Sequence, residues 1–416
     1  MFTSFSTALS GLSADSTAID VVANNLANLN TTGFKASAVS FHDLVTQSLG
    51  AGLGETQVGF GVGRPITLRE FSQGALQTTS GPLDAAIQGD GFFIVQAPNG
   101  ATEYTRGGNL QVDSDGNLVT ATGEKLQGWT EQNGVINTNG VIGNISIPVG
   151  SVKAPQATSS FSFDVNLNAA AAAGSADGTY STSIQIYDSL GASHVVTATF
   201  TKDATTPGQW NYSISIPDSD VANPPATPLT GSVTFDSNGK LLTPASTDPA
   251  PQLQLQGLAD GASDMTINWS LFNNGAPRLT QFAQPSAVAA LQQDGLPAAQ
   301  LTKVGLANGG MILAQYSNGT QDVVGQLAMA TVRNPESLIA VGNSNYQLSA
   351  ASALPAIGAP GTGGRGTVVG GSVESSTVDI ATEFTNLIVF QRAYQANAKI
   401  VTAVDQLSQD TINLKQ

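Results

Sequence analysis

Residues 4–28 read SFSTALSGLSADSTAIDVVANNLAN, and residues 379–414 read DIATEFTNLIVFQRAYQANAKIVTAVDQLSQDTINL. In the first stretch Phe5, Leu9, Leu12, Ser16, Ile19, Ala23 and Leu26 fall at alternating steps of four and three, a heptad seam. In the second, Ile380, Phe384, Leu387, Gln391, Tyr394, Ala398 and Val401 repeat the spacing. The seam then shifts to Ile400, Val404, Leu407, Thr411 and Leu414. The spacing predicts helices of roughly 36 and 54 Å at about 1.5 Å per residue. Almost everything between them is rich in Gly, Ser and Thr and reads as β structure. A chain with long helices around a β-rich middle can pair its own ends and stack on copies of itself. That points to assembly ahead of catalysis.

Composition narrows the class. At 416 residues the chain is too long for one ordinary core. Only 11% of residues are charged, against roughly 25% in ordinary soluble domains. The polar surface therefore falls to Ser, Thr, Asn, Gln and backbone, and 45 Gly and 19 Pro favour turn-rich β domains. A net charge of −15 offers no basic stripe to displace counterions, so no nucleic-acid partner is expected. An anionic membrane surface would repel the chain as well. With no cysteine, disulfides, Cys-ligated zinc, iron–sulfur clusters and thiol catalysis are excluded. The first twenty residues hold no Lys or Arg and no continuous apolar core, so no cleaved signal peptide is expected. No apolar run reaches the ~18 residues of a membrane span.

Along the chain, the first helix should stop near Asn28–Asn30, ahead of the turn Thr31-Thr32-Gly33. From Phe34 to Leu83 the periodicity weakens and Gly50, Gly52, Gly54, Gly59, Gly61 and Gly63 interrupt it, which reads as a connector with short strands. Gly91–Gln96 reads as a buried strand, and Asn109–Trp129 as a hairpin turning at Asp113–Asn117. Short alternating strands follow at Ser183–Tyr187, His194–Thr201, Trp210–Ile216, Ser232–Phe235 and Met265–Leu271. Ser317-Asn318-Gly319 joins two more strands, and Ser376 with Asp379 reads as a capping box opening the last helix.

The order helix, connector, β, β insertion, β, connector, helix is a palindrome. It predicts an α+β, mainly β chain. Long N- and C-terminal helices form a coiled-coil-like domain, with two nested β-rich domains built from discontinuous segments. The expected divisions are 1–30 with 373–416 for the helices and 31–82 with 355–372 for the connector. The inner β domain takes 83–148 with 279–354, and 149–278 is an inserted outer β domain.

Other constellations are weak. Of the asparagines Asn24, Asn25, Asn28 and Asn30, Asn24 and Asn28 share a face at i, i+4 and are the stronger candidates for fixing helix register. Helix-end and turn chemistry is the competing reading. Asp113-Ser-Asp-Gly-Asn and Asp236-Ser-Asn-Gly-Lys hint at calcium loops but lack the distal bidentate Glu, so hairpin turns are the better reading. The runs at Gly59–Gly63 and Gly363–Gly366 lack the Gly-Lys-Ser/Thr of a phosphate loop. His42 and His194 lie in unlike segments, and Trp129, Trp210 and Trp269 are dispersed. No catalytic, cofactor or metal residue is assigned, and no enzyme is expected.

Asn24-Asn-Leu-Ala-Asn-Leu-Asn-Thr-Thr-Gly-Phe-Lys35 resembles the N-terminal signature of the flagellar rod and hook axial proteins. GFGVGRPITLREFSQG (59–74), LDAAIQGDGFF (83–93) and DSDGNLVTATGEKLQGW (113–129) resemble segments that follow in that family, in order. Gln391-Arg-Ala-Tyr-Gln-Ala-Asn397 is similar to its C-terminal helix. The resemblance covers roughly 1–148 and 279–416. It marks Asn24, Asn25, Asn28, Asn30, Thr31, Thr32, Gly33, Phe34, Gln391, Arg392, Tyr394 and Asn397 as family signature. Rod members lack a large middle insertion, so residues 149–278 point to the hook branch.

The resemblance implies a tubular homopolymer, the flexible joint that carries motor torque, with axial helices inside and β domains outside. The implied self-assembly seam is Phe5, Leu9, Leu12, Ile19, Leu26, Ile380, Phe384, Leu387, Tyr394, Val401, Val404 and Leu407. The resemblance also implies export by the flagellar type III apparatus. The implied neighbours are a distal rod protein, a hook cap and hook–filament junction proteins, with no membrane and no nucleic acid. The terminal helices are expected to order on assembly. The alternatives are a distal rod or related axial protein and, from other classes, a β-rich surface adhesin or a secreted carbohydrate enzyme. The enzyme would need paired carboxylates that the sequence does not bring together.

Overall fold

The computed structural model of the chain describes residues 2–44, 46–49, 56–132, 134–223, 225–413. Leu414 of the second seam and Gly50, Gly52 and Gly54 of the connector lie outside the described residues. The chain is mainly β, with one long helix near each end: α1 (Phe2–Ala27) and α2 (Ile380–Asn413). No described helix is long and apolar enough to cross a membrane.

The α1 helix stops at Ala27, where Asn28 turns back on Asn24 and Thr31 follows with its own turn. The start of α2 differs from the capping box expected at Ser376. The cap is Asp379, whose Oδ1 accepts the amide of Thr382 at 2.7 Å. Ser376 instead accepts the amide of Val378. A cap must sit immediately before the first helical residue to reach the free amides of the first turn, and only Asp379 does.

Two compact units make up the chain. The first comprises residues 1–149, 303–315 and 321–416. Its β centre is the strand Phe92–Gln96, buried along nearly its whole length. It pairs antiparallel with Thr102–Thr105, Lys125–Gln132 and Met329–Thr331. Phe92, Ile94, Tyr104, Trp129, Ala330 and Tyr346 form the core there. The hairpin at Asp113–Asn117 forms as the sequence predicts, with Leu110–Val112 against Leu118–Thr120. The Asp113 carboxylate accepts the amides of Asp115 and Asn117, which is turn chemistry. The chain leaves and re-enters through short ladders: Ser37–Ser40 with Ile66–Arg69, Leu76–Thr78 with Ser372–Glu374, and Ala85–Gln88 with Thr367–Gly370.

The second unit comprises residues 150–302 and 316–320. A five-stranded meander runs Thr179–Tyr187, Ser193–Lys202, Gln209–Ser215, Leu229–Phe235, Leu241–Thr243. A second sheet is built on Ser160–Asn168, which pairs with Met265–Trp269, Leu279–Phe282 and Ala287–Gln293. Alternation drives both sheets. In Ser193–Lys202 every second residue from His194 to Phe200 is buried, and the others face outward. The inward faces meet at Trp269, whose ring lies 4.9 Å from Tyr212 and 6.1 Å from Phe200, centre to centre. The expected return of the insertion at Leu279 is corrected by this sheet. Residues 279–282 and 287–293 pair with Ser160–Asn168, so 279–302, with 316–320, of the segment 279–354 assigned to the inner domain lie in this unit, and the rest stays in the first.

Trp269 is fully buried where the two sheets meet. The variant Trp269→Ala should destabilise this unit by about 3–5 kcal/mol. Urea unfolding followed by fluorescence should show its transition moving to lower denaturant while that of the first unit stays in place.

Candidate self-assembly surface

The two helices run antiparallel. Near one end Asn25 donates through Nδ2 to Glu383 Oε1 at 2.9 Å, and further along Asn397 donates through Nδ2 to Asp15 Oδ2 at 2.9 Å. Gly11 lies beneath Asn397, and a Cβ there would stand 2.7 Å from its Nδ2. The buried residues of α1 are Ala8, Ala14, Asp15, Ala18, Val22 and Asn25; all but Ala14 fall in one row, with Gly11 half-buried in it. The spacing of that row is three and four, as expected of a seam, but the residues are small.

The seam expected from the large apolar residues lies one position further on, about 100° around the helix. Phe5 and Leu9 are exposed, Leu9 by 53%, while Leu12, Ile19 and Leu26 are half-buried. On α2 the expected seam divides. Leu387, Val401 and Val404 are half-buried, whereas Ile380, Phe384, Tyr394 and Leu407 are exposed, Phe384 by 53%. Ile388, Val389 and Ile400 add to the uncovered apolar surface. Small residues bring two helix backbones close. Larger side chains such as Leu9, Phe384 and Leu407 are then directed outward and are more than half exposed.

The asparagine cluster is resolved differently from the sequence reading. Asn28 donates to the carbonyl and side chain of Asn24, and its own Oδ1 accepts the hydroxyl of Thr31. That is helix-end chemistry, and Asn24 and Asn30 are exposed. Register is carried by Asn25, which is buried. Besides Glu383, its amide donates to the Ser37 carbonyl at 2.8 Å, and its Oδ1 accepts the Ser37 amide at 3.0 Å. One side chain thus ties α1, the strand after it and α2.

Gly33 sits at φ +68°, and a Cβ there would press to 2.6 Å of the Arg106 backbone. Only glycine combines that backbone with that approach. Thr31, Thr32, Phe34 and Asn28 line an open groove of about 570 Å³ that also takes in Arg69 and Tyr346. Gln391 and Arg392 are exposed on α2.

The sequence reading missed an ionic cluster beneath the helices. Lys35, Glu374 and Arg106 are all buried. Lys35 Nζ donates to Glu374 Oε1 at 2.7 Å and to the Ser72 carbonyl at 2.5 Å. Arg106 reaches Glu374 Oε2 at 3.2 Å and the Gly89 carbonyl at 2.9 Å. The amide of Gly74 donates to Glu374 Oε1 at 2.7 Å. Burial pushes the Lys35 ammonium below its ordinary pKa, against the pull of Glu374. The one available signal was a lone Lys closing an otherwise uncharged signature.

Glu383 is the strained member of the helix joint. Burial pushes its carboxyl above the ordinary range, with the charges of Glu70 and Asp379 acting the same way and the Asn25 bond opposing. Its Oε2 is buried and makes no hydrogen bond among the described residues.

Four family models match along the chain. They are Flagella basal body rod protein (residues 5–35), Flagellar hook protein FlgE/F/G D1 domain (86–166), Flagellar basal body protein FlaE D2 domain (165–296) and Flagellar basal body rod FlgEFG protein C-terminal (369–414). Among curated relatives, the flagellar hook protein FlgE of Borreliella burgdorferi is 33% identical over 449 residues, covering 100% of both chains. That of Escherichia coli K12 is 31% identical, covering 99% of this chain and 100% of the relative. Among solved structures, the flagellar hook protein FlgE2 of Helicobacter pylori aligns over 70% of this chain and 99% of its own. Its TM-score is 0.50 at 15% identity, a likeness of fold.

Two outcomes test the joint. Glu374→Gln leaves two buried cations without their anion and should cost about 3–5 kcal/mol, read as a lower urea midpoint for the first unit. Because the folded Glu383 pKa is raised, folding favours its protonated form. Its penalty appears as pH rises above the unfolded carboxyl value and is complete above the folded one. Acidification from neutral should therefore tighten the helix pair. In Glu383→Gln that pH dependence should vanish, with the pair already tighter at neutral pH, measured by amide exchange along α1.

Proposed function

From its membership of the flagellar hook protein family, to which this chain belongs as a structural subunit of the hook, we propose that copies associate through large apolar residues that stand exposed or half-buried on α1 and α2. The assembly surface is Phe5, Leu9, Leu12, Ile19 and Leu26 with Ile380, Phe384, Leu387, Tyr394, Val401, Val404 and Leu407. The observation that carries this reading is that small residues are buried on α1 while Leu and Phe side chains on both helices remain exposed. Each such side chain contributes roughly 1.5–3 kcal/mol when buried. Repeated in every subunit, that is enough to drive a polymer.

In this reading the helices, 1–30 and 373–416, form the axial layer of a tube. The segments 31–82 and 355–372 form the connector and the β units project outward. The short ladders of the connector, held by few strands each, let subunits shift while the axial layer stays packed. That suits a joint that bends while passing torque. The signature residues Asn25, Gly33 and Phe34 serve by setting where the helix pair leaves the β body. The partners that fit are further copies of the chain, a distal rod protein below, cap and junction proteins above, and the type III export apparatus. The location is the flagellum, outside the cell.

Leu9→Asp and Phe384→Asp are the decisive variants. Both positions are exposed in the single chain, so melting of the monomer should change by less than about 0.5 kcal/mol. A charge buried at a subunit contact costs several kcal/mol, so tubes should disappear from electron micrographs and cells should lose motility. Normal tubes from either variant would remove these residues from the assembly surface.

A further inference from the structure

We propose that His194 is a proton-operated clasp in the second unit: its doubly protonated ring holds three separate segments together, and loss of one proton releases them. The ring stands at the start of the strand Ser193–Lys202 and is buried. Its Nδ1 lies 3.0 Å from Asp220 Oδ2, and its Nε2 lies 3.0 Å from Asp188 Oδ2 and 3.8 Å from Asp260 Oδ2. An ionised carboxylate only accepts, and a neutral imidazole carries one N–H. A neutral ring would therefore set a lone pair against one of these carboxylates. Only the imidazolium donates to both.

The three carboxylates come from three places in the chain. Asp188 opens the turn after Thr179–Tyr187, Asp220 closes the short helix Asp218–Asp220, and Asp260 lies in the loop before Met265–Trp269. Asp188 is fully buried. Its Oδ1 is committed to the amides of Leu190 at 2.8 Å and Ala192 at 2.9 Å, which leaves Oδ2 for the ring. The backbone joins the same segments: Ala259 donates to the Asp220 carbonyl, Ala222 to Gly257, and Ser263 to the Ser189 hydroxyl. The neighbouring acids Asp218 and Asp264 accept the amides of Ala226 and Gly257.

Burial alone would lower the His194 pKa, but the bonds and charges of Asp188 and Asp220 outweigh it and the net shift is upward. Burial would likewise raise Asp188, yet its contacts with Asp260, His194 and the two amides bring it down to about 2. The sign follows. A raised folded pKa gives stability that is complete below the unfolded value and is lost as pH rises through the folded one. Deprotonation also leaves Asp188 and Asp260, both near Nε2, without the cation between them, so release is driven by repulsion as well as by a lost bond. One carboxylate oxygen each of Asp188 and Asp260 and one ring nitrogen of His194 lie within 4.8 Å of one another.

The full chain is titrated by NMR of its two histidine rings, with His42→Asn supplying the assignment, and melted by tryptophan fluorescence from pH 6 to 9 with EDTA. The expected result is a His194 midpoint above the ordinary imidazole value. The melting temperature of the second unit should fall by several degrees across that range. In His194→Gln most of that fall should be gone, whereas a merely structural role would lower stability evenly at every pH. Asp260→Asn, which keeps both short contacts, should retain the dependence. Equal slopes in wild type and His194→Gln, or a His194 midpoint at or below the ordinary value, would overturn the clasp. Should His194→Gln fail to fold, the wild-type titration decides.

Discussion

A single buried carboxylate, Glu374, holds the places where the two arms of this chain enter and leave the β body. It receives Lys35 from the segment after α1, Arg106 from the inner sheet and the Gly74 amide from the connector. Its own carbonyl accepts the amide of Gly33. Removing three charged groups from water is costly, and it is tolerated only where geometry and added hydrogen bonds are nearly complete. The Ser72 and Gly89 carbonyls accept one further donor each, and Arg106 also lies over the Phe92 ring at 5.4 Å. The contribution of such a cluster is better described as specificity than as strength. It permits one arrangement of four segments and penalises others.

The helix pair rests on that arrangement. Asn25 takes its position from Ser37, two residues past Lys35, and passes it to α2 through Glu383. Once register is set there, Ala18, Asp15 and Gly11 follow along the buried face as small spacers, with Asn397 filling the gap over Gly11. Close backbones leave no room for leucines between them. Large side chains such as Leu9, Phe384 and Leu407 therefore stand exposed on the flanks. A subunit that buried its largest residues internally would have less to offer its neighbours.

The second unit solves a different problem with plain alternation. Its strands place every second side chain inward, and Trp269 fills the space where the two sheets meet. Most of its charged residues sit at loops, where Asp188, Asp203 and Asp236 each accept backbone amides and shape turns. Such turns resemble calcium loops in sequence because both need an acid, a glycine and a polar partner at short spacing. The resemblance ends at the missing distal ligand.

The helices, the β-rich middle, the Phe92–Gln96 strand and the hairpins at Asp113–Asn117 and Ser317–Gly319 could all be read from residues 2–20 apart. Period, turn chemistry and capping are local properties, and the amino-acid order determines them by itself. The signature from Asn24 to Lys35 likewise announced the family. The same order did not say which face of α1 meets α2, since two heptad rows lie one residue apart and hydrophobicity favours the wrong one. Nor did it say that Asn25, and not Asn24 or Asn28, sets the register. It could not pair Lys35 with Glu374 across 339 residues, or carry the inserted unit on to Thr302. Those outcomes depend on which distant segments share one volume. Such a choice is made by close packing and by the cost of an unpaired buried charge, and neither leaves a period in the sequence.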